Sequence, residues 1–231
     1  MKHFTELYLR LDQSNATNDK VEALVDYFAL ADPADSAWAI WFLSGRRLKR
    51  LLKRANLKRW ALEASEHPEW MLAEAYEAVG DLAETIALLL PEPWNASADD
   101  RPLRFWIEER LVPLGAADED TQGLALKGWW ANLSADQRFV LNKLLTGALR
   151  VGVSQRLVTR ALAQHLSLDQ ALIAHRLMGD WVPAPGFLDY LKSGDGDFAD
   201  DSLPYPFFLS APLEAPAADL GPVQDWQAEW K

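Results

Sequence analysis

Capping residues followed by apolar residues at helical spacing recur over most of this chain. Asp81, Ser134 and Ser154 each precede such a run, and short polar side chains at these positions can accept hydrogen bonds from the free N–H groups of a helix start. The tetrapeptides SADQ (134–137) and SLDQ (167–170) also match the capping box. Prolines and glycines fall between the runs rather than within them. The pattern predicts an all-α fold of about ten to twelve helices around one core.

The composition of the chain changes after Trp181. Seven of the thirteen prolines lie between residues 183 and 222, and the segment SGDGDFADDS (193–202) is acidic and rich in glycine. Because such segments bury little apolar surface, residues 183–202 are predicted to be a solvated linker. Further on, QDWQAEWK alternates apolar and polar residues, as strands do. We therefore expect a helical domain over 1–182, the linker, and an incomplete second domain over 203–231 that ends in an orphan strand.

The composition also excludes several classes of site. The chain has no cysteine, and its four histidines are not spaced as zinc ligands, so no metal site is expected. No apolar run has the length of a membrane span, and the N-terminus lacks the apolar core of a secretory signal. The sequence therefore predicts a cytoplasmic protein without disulfides.

A dense basic segment interrupts a chain whose net charge is −11. Residues 46–59 contain eight cations and no acid, namely Arg46, Arg47, Lys49, Arg50, Lys53, Arg54, Lys58 and Arg59. Because like charges repel, this density favours contact with an external polyanion; the alternative is the solvated face of amphipathic helices. Two apolar faces in the segment are out of phase, one at Leu48 and Leu52 and the other at Leu57 and Trp60. A break in the helix is therefore expected near residues 54–56.

The segment GALRVGVS (147–154) joins two predicted helices. Gly147 and Gly152 permit a positive φ or a close approach of a ligand to the backbone, and Arg150 is a permanent cation. Ser154 begins the next helix, whose free N–H groups and positive dipole end attract anions. These features predict a phosphate site, while the residues alone support equally well a tight turn with a surface arginine.

Several segments, in the same order, resemble one known family. LNKLLTGALRVGVSQ is similar to the signature of the N-terminal DNA-binding domain of ATP-dependent DNA ligases. FTELYLRLDQSNATNDKVEALVDYF, YEAVGDLAETIALLLP and PYPFFLSAPLE resemble the bacterial members that carry this domain. The resemblance covers most of the chain. It implies a bacterial, nucleoid-associated protein of DNA repair, replication or recombination.

The resemblance also assigns roles to the last residues, EWK. In this family a K-x-D-G motif supplies the lysine that becomes adenylated, and an acid and an aromatic residue precede it. Lys231 would then be the catalytic nucleophile, and Glu229 would recognise the adenine of ATP. The chain would be the front part of a ligase, cut at the active-site lysine. The parent enzyme would use ATP and Mg²⁺ to seal nicks, while neither is expected to bind this fragment, which lacks the pocket that would activate the lysine.

The family domain grips nicked duplex DNA through phosphates and the minor groove. Matched residue by residue, the resemblance nominates Arg150, Gly152 and Ser154 as DNA contacts, with Gly147 and Lys143 as weaker candidates. The basic segment adds further candidates on the ground of charge, namely Arg46, Arg47, Lys49, Arg50, Lys53, Arg54 and Lys58. Other repair proteins are possible partners.

Two other functions are compatible with these residues. The acidic net charge suits a helical protein–protein interaction module, whose cations would be dispersed over the surface. A DNA-binding domain would instead gather Arg150 and the segment 46–59 around a shared concave surface. A sequence-specific helix-turn-helix regulator fits less well, because no capped helix carries the array of arginine, asparagine and glutamine that reads base edges.

Overall fold

The computed structural model describes residues 1–49, 51–93, 99–194 and 196. These residues form twelve helices and no strand, which confirms the all-α prediction. The first six are α1 (Lys2–Gln13), α2 (Thr17–Leu30), α3 (Pro33–Leu43), α4 (Arg54–Ser65), α5 (Glu69–Val79) and α6 (Leu82–Leu89). In α7, Leu103–Phe105 and Val112–Ala116 flank the π-helical turns Trp106–Leu111. The remaining five are α8 (Glu119–Asn132), α9 (Ala135–Thr146), α10 (Gln155–Leu166), α11 (Gln170–Arg176) and α12 (Phe187–Ser193).

One continuous core joins the helices. Helix α2 packs along α10 and α1, while α9 packs along α6 and α1. Helix α4 contacts α5, α6 and α8, and α3 contacts α7, α10 and α12. The largest fully buried side chains are aromatic, among them Trp106, Trp130, Tyr8 and Phe4. The indole of Trp130 donates to Asn142 Oδ1 at 2.9 Å, so the polar edge of this buried ring is satisfied. In the described part of the chain, no helix combines the length and the apolar composition that crossing a bilayer requires.

Of the four predicted caps, two form, one is displaced, and the fourth, Ser154, accepts no hydrogen bond from its helix. Asp81 accepts from the Glu84 N–H of α6, and Ser134 accepts from the Gln137 N–H of α9. The cap predicted at SLDQ lies at Asp169, which accepts from two N–H groups of α11, rather than at Ser167. Ser167 is instead the C-cap of α10. Its φ of 55° is left-handed, and a residue in this conformation ends a helix. Two residues later, Asp169 caps α11.

Helix α12 lies inside the predicted linker 183–202. Its Phe187 and Leu191 are fully buried, and the Trp181 ring stacks on Phe187 at 3.8 Å. Because these apolar groups pack on the helical core, this part of the segment is packed helix rather than solvated chain. The predicted second domain over 203–231, its orphan strand, and both Glu229 and Lys231 lie outside the described residues.

Candidate nucleic-acid interface

The turn between α9 and α10 presents alternate residues to solvent. Gly147 ends α9 in the left-handed region, with a φ of 69° that only glycine adopts without strain. After it, Val151 is buried, while Arg150, Gly152 and Ser154 are exposed. The three predicted contacts therefore all lie on the surface of this turn.

The helix that follows the turn begins without a side-chain cap. Ser154 occupies the N-cap position of α10, but its hydroxyl accepts no hydrogen bond from the helix. Its carbonyl accepts from Val158 N–H at 3.2 Å, while the first N–H groups of the helix have no side-chain partner among the described residues. These N–H groups carry the positive end of the helix dipole, and the exposed Arg156 lies beside them. Sequence reasoning missed Arg156, although its place in the first turn of a predicted helix was a usable signal.

The basic segment breaks at the predicted place, but its first half is not helical. Residues 46–49 and 51–53 have no regular secondary structure, and α4 begins at Arg54. From there Leu57, Trp60 and Ala61 are buried on one face of the helix. Upstream, Leu52 is buried without a helix, because the irregular chain can turn this side chain inward regardless of helical phase.

Part of the basic segment is neutralised within the protein. Lys53 Nζ lies 2.7 Å from a carboxylate oxygen of Glu119, and the Arg59 guanidinium lies 3.8 Å from Glu63 and 3.7 Å from Glu119. Lys58 Nζ lies 4.7 Å from the centre of the Tyr76 ring. The interpretation as an ordinary solvated face therefore describes Lys53 and Arg59, whose counter-ions come from α8 and from the next turn of α4.

Arg46 has a structural contact of its own. Its guanidinium lies 4.6 Å from the centre of the Trp181 ring and donates to the carbonyls of Trp181, at 3.3 Å, and of Gly179. Burial lowers the pKa of Arg46 from its ordinary value. The side chain thus joins the start of the basic segment to the chain that leads into α12.

The remaining described cations of the predicted segment converge on one groove. Arg47, Lys49 and Arg54 are exposed and form no hydrogen bond or ion pair with another described residue. With Gly147, they line a groove of about 500 Å³ between the irregular segment, α4 and the end of α9. The other lining residues are Leu48, Leu52, Leu57, Leu145 and Thr146, none of which is acidic.

This groove connects the basic segment with the turn. A Cβ placed on Gly147 would lie 3.5 Å from Cδ of Arg47, so the two segments lie next to each other at this point. Arg150 does not line the groove but belongs to the same turn, three residues after Gly147. Because cations around a concave surface with low-dielectric walls reinforce one another's field, the groove attracts anions more strongly than the dispersed charges would.

Lys143 does not present its charge to this surface. The residue is 7% exposed, its ammonium lies 2.9 Å from a carboxylate oxygen of Asp81, and Phe139 covers it at 4.9 Å. Its place on the inner side of α9 therefore favours a structural role over the predicted DNA contact. Arg50, another predicted contact, lies outside the described residues.

Comparison with known proteins gives one family. The sequence model of the family described as "DNA ligase N terminus" matches residues 1–163. The matched range contains the groove, the turn and the start of α10. A search among curated proteins found no similar sequence.

Proposed function

This chain belongs to the DNA ligase N-terminus family, and from that premise we propose that its helical domain binds duplex DNA at a nick without sequence preference. The observation that carries the proposal is the convergence of Arg47, Lys49 and Arg54 on one acid-free groove that Gly147 also lines. The protein supplies counter-ions to Lys53 and Arg59 but, within the described residues, none to these three. A DNA backbone would supply the missing negative charge.

The turn and the start of α10 extend this surface. Arg150 and Arg156 would approach phosphates as forked donors, and the free N–H groups after Ser154 would bind a phosphate oxygen. Gly152 carries no side chain, so a phosphate can reach the backbone there. All of these groups contact phosphate rather than base edges, so they would position DNA without reading its sequence.

The reaction of the complete enzyme is inferred from the family and not from the described residues. ATP-dependent DNA ligases use ATP and a metal ion, and we propose Lys231 as the adenylated lysine and Glu229 as its adenine-recognising neighbour. Both residues lie outside the described part of the chain. The helical domain would hold the nicked duplex while the nucleotide-binding part of the enzyme acts on its 5′-phosphate.

Salt dependence of binding to a nicked duplex tests the proposal. Each neutralised phosphate contributes a slope of about −0.9 to the plot of log K against log salt, so four to six contacts give about −4 to −5. The measurement is a fluorescence-anisotropy titration of a labelled nicked duplex at several salt concentrations. The absence of binding at low salt, or an affinity that does not change with salt concentration, would contradict the proposal.

Two arginines of α4 provide a matched pair for the same titration. Arg54 lines the groove, whereas Arg59, five residues further along, is paired with Glu63 and Glu119. Arg54→Gln is expected to flatten the slope by about one unit, since one phosphate contact is lost. Arg150→Ala is expected to do the same. Arg59→Gln should leave the slope unchanged, and equal effects of Arg54→Gln and Arg59→Gln would show that the groove is not the binding surface.

A protein–protein interaction module is the second candidate, and one observation favours it. A groove of about 480 Å³ between α1 and α2 is partly apolar, and Leu30 at its edge is 77% exposed. Exposed apolar surface of this kind marks contact sites for other proteins. The titration separates the two candidates, because a chain of net charge −11 without a cationic binding surface should not bind a nicked duplex.

A further inference from the structure

Two lysines are buried in the described part of the chain, and only one of them has a counter-ion there. Lys20 and Lys143 are each 7% exposed. Lys143 is paired with Asp81 at 2.9 Å. Lys20 donates a hydrogen bond to the carbonyl of Val151 but forms no ion pair with a described carboxylate. A buried ammonium without an opposite charge is costly, so a counter-ion from outside the protein would be favourable at Lys20.

The position of Lys20 indicates where such a counter-ion would bind. The side chain extends from α2 to the turn, where Val151 points inward and the next residue, Gly152, is exposed. A Cβ at Gly152 would lie 2.7 Å from Nζ of Lys20, and the φ of Gly152 is +61°. The ammonium thus lies beneath the surface at Gly152, and Gly152 itself has no side chain to separate it from an approaching anion.

We infer that Lys20 forms the inner wall of a phosphate site at Gly152 and balances one phosphodiester charge of bound DNA. The inference rests on the proposed function. It assigns a role in DNA binding to Lys20, which lies 131 positions before Val151, the residue whose carbonyl it contacts. The hydrogen bond to Val151 holds the turn so that Arg150 and Gly152 face outward. The positive charge acts through the gap that the missing side chain of Gly152 leaves.

Neutral variants of Lys20 separate these two effects. Lys20→Gln removes the charge but retains a donor for the Val151 carbonyl, and Lys20→Met removes both. The probe is the labelled nicked duplex, titrated against the full chain at several salt concentrations. Both variants are expected to reduce the slope by about 0.9, the contribution of one phosphate. Lys20→Met should also weaken binding beyond Lys20→Gln, because it releases the turn.

The control replaces a lysine that is already neutralised. Lys127 lies 2.7 Å from Glu63, and Lys127→Gln should leave the slope unchanged. Circular dichroism melting reports whether each variant folds. Lys20→Arg keeps the charge and should keep the wild-type slope, which tests the inference even if the neutral variants do not fold.

The outcomes distinguish this inference from the proposed function. A Lys20→Gln variant with the wild-type slope, or a Lys20→Arg variant that loses a unit of slope, would overturn the role of the Lys20 charge and leave DNA binding intact. A wild-type chain that does not bind the nicked duplex would overturn both.

Discussion

At the scale of single residues, identical side chains have different roles because their surroundings differ. Arg46 is held by Trp181, Arg59 is paired with Glu63 and Glu119, and Arg54 faces the groove without a described partner. All three are permanently charged, so the residue type alone does not separate them. The presence or absence of an internal acceptor decides which arginine remains available to a phosphate.

The ionisation of Asp81 also depends on its surroundings, and they predict how the stability of the protein changes with pH. Burial opposes its ionisation, but the Glu84 N–H at 3.0 Å and Lys143 at 2.9 Å stabilise the carboxylate, so its pKa lies below the ordinary value of 3.8. A lowered pKa stabilises the folded state above the unfolded pKa, and this stabilisation is lost as the pH falls through the folded pKa. Asp81→Asn should therefore lower the free energy of unfolding by about 2 kcal/mol at pH 7, because Lys143 loses its counter-ion.

Urea unfolding of the Asp81→Asn variant at pH 7 and at about pH 3 checks this prediction. The difference from the wild type should narrow at the lower pH, because below the unfolded pKa of Asp81 the unfolded wild-type chain takes up a proton more readily than the folded chain. Asp169→Asn is the control, since asparagine caps a helix about as well as aspartate and Asp169 has no lysine partner among the described residues. An Asp81→Asn variant as stable as the wild type at pH 7 would contradict the role of the pair.

At the scale of elements, close helix packing depends on where a glycine falls. Gly123 in α8 is buried against the indole of Trp60 in α4, and this contact brings the two helices together. Gly128 lies one and a half turns further along α8 and faces solvent. Both glycines weaken the helix by their flexibility, but only Gly123 makes room for a neighbour.

Alanine at these two positions should have opposite effects on stability. A Cβ at Gly123 would lie 2.5 Å from Nε1 of Trp60, so Gly123→Ala is expected to destabilise the protein by about 2–3 kcal/mol through overpacking. A Cβ at Gly128 meets nothing within 4 Å, and Gly128→Ala should stabilise by about 0.5–1 kcal/mol through helix propensity. Thermal or urea unfolding measures both. If Gly123→Ala and Gly128→Ala were equally stable, α4 and α8 could move apart without a loss in the free energy of unfolding, which would contradict the prediction.

At the scale of the whole molecule, net charge and local charge point to different partners. The chain carries −11, yet the described groove contains three cations and no acid. A DNA molecule at the groove would experience mainly the field of these three cations. At physiological salt the Debye length is about 8 Å, so the more distant acids are largely screened. The overall charge instead limits unspecific binding elsewhere on the surface.

This distribution predicts binding that depends on salt but not on base sequence. Two nicked duplexes of the same length, one rich in A·T and the other in G·C, should bind with dissociation constants within about threefold of each other. Specific DNA-binding proteins discriminate by about 10³ or more between their sites and other sequences. Competition titrations at one salt concentration measure the ratio. A preference of tenfold or more for one sequence would indicate direct contacts with bases.

Much of the fold was predictable because helix formation is largely local. Asp81 and Ser134 cap the predicted helices, since a cap needs only the next three residues of the chain. The composition predicts a linker where helix α12 lies, because the burial of this helix depends on Trp181 and on the distant helix α3 rather than on its own composition. The same limit applies to Gln137, which binds the backbone of Asp99 instead of completing its capping box.

By itself, the sequence determined the helical class, the family, and the residue types around the turn 147–154, because capping, periodicity and motif are properties of neighbours in the chain. Only the tertiary structure decided which cations remain free and which lysines are buried. Glu119 reaches Lys53 across 66 positions and Lys20 reaches Val151 across 131. A charge acts through distances in space, and these are set when the helices pack.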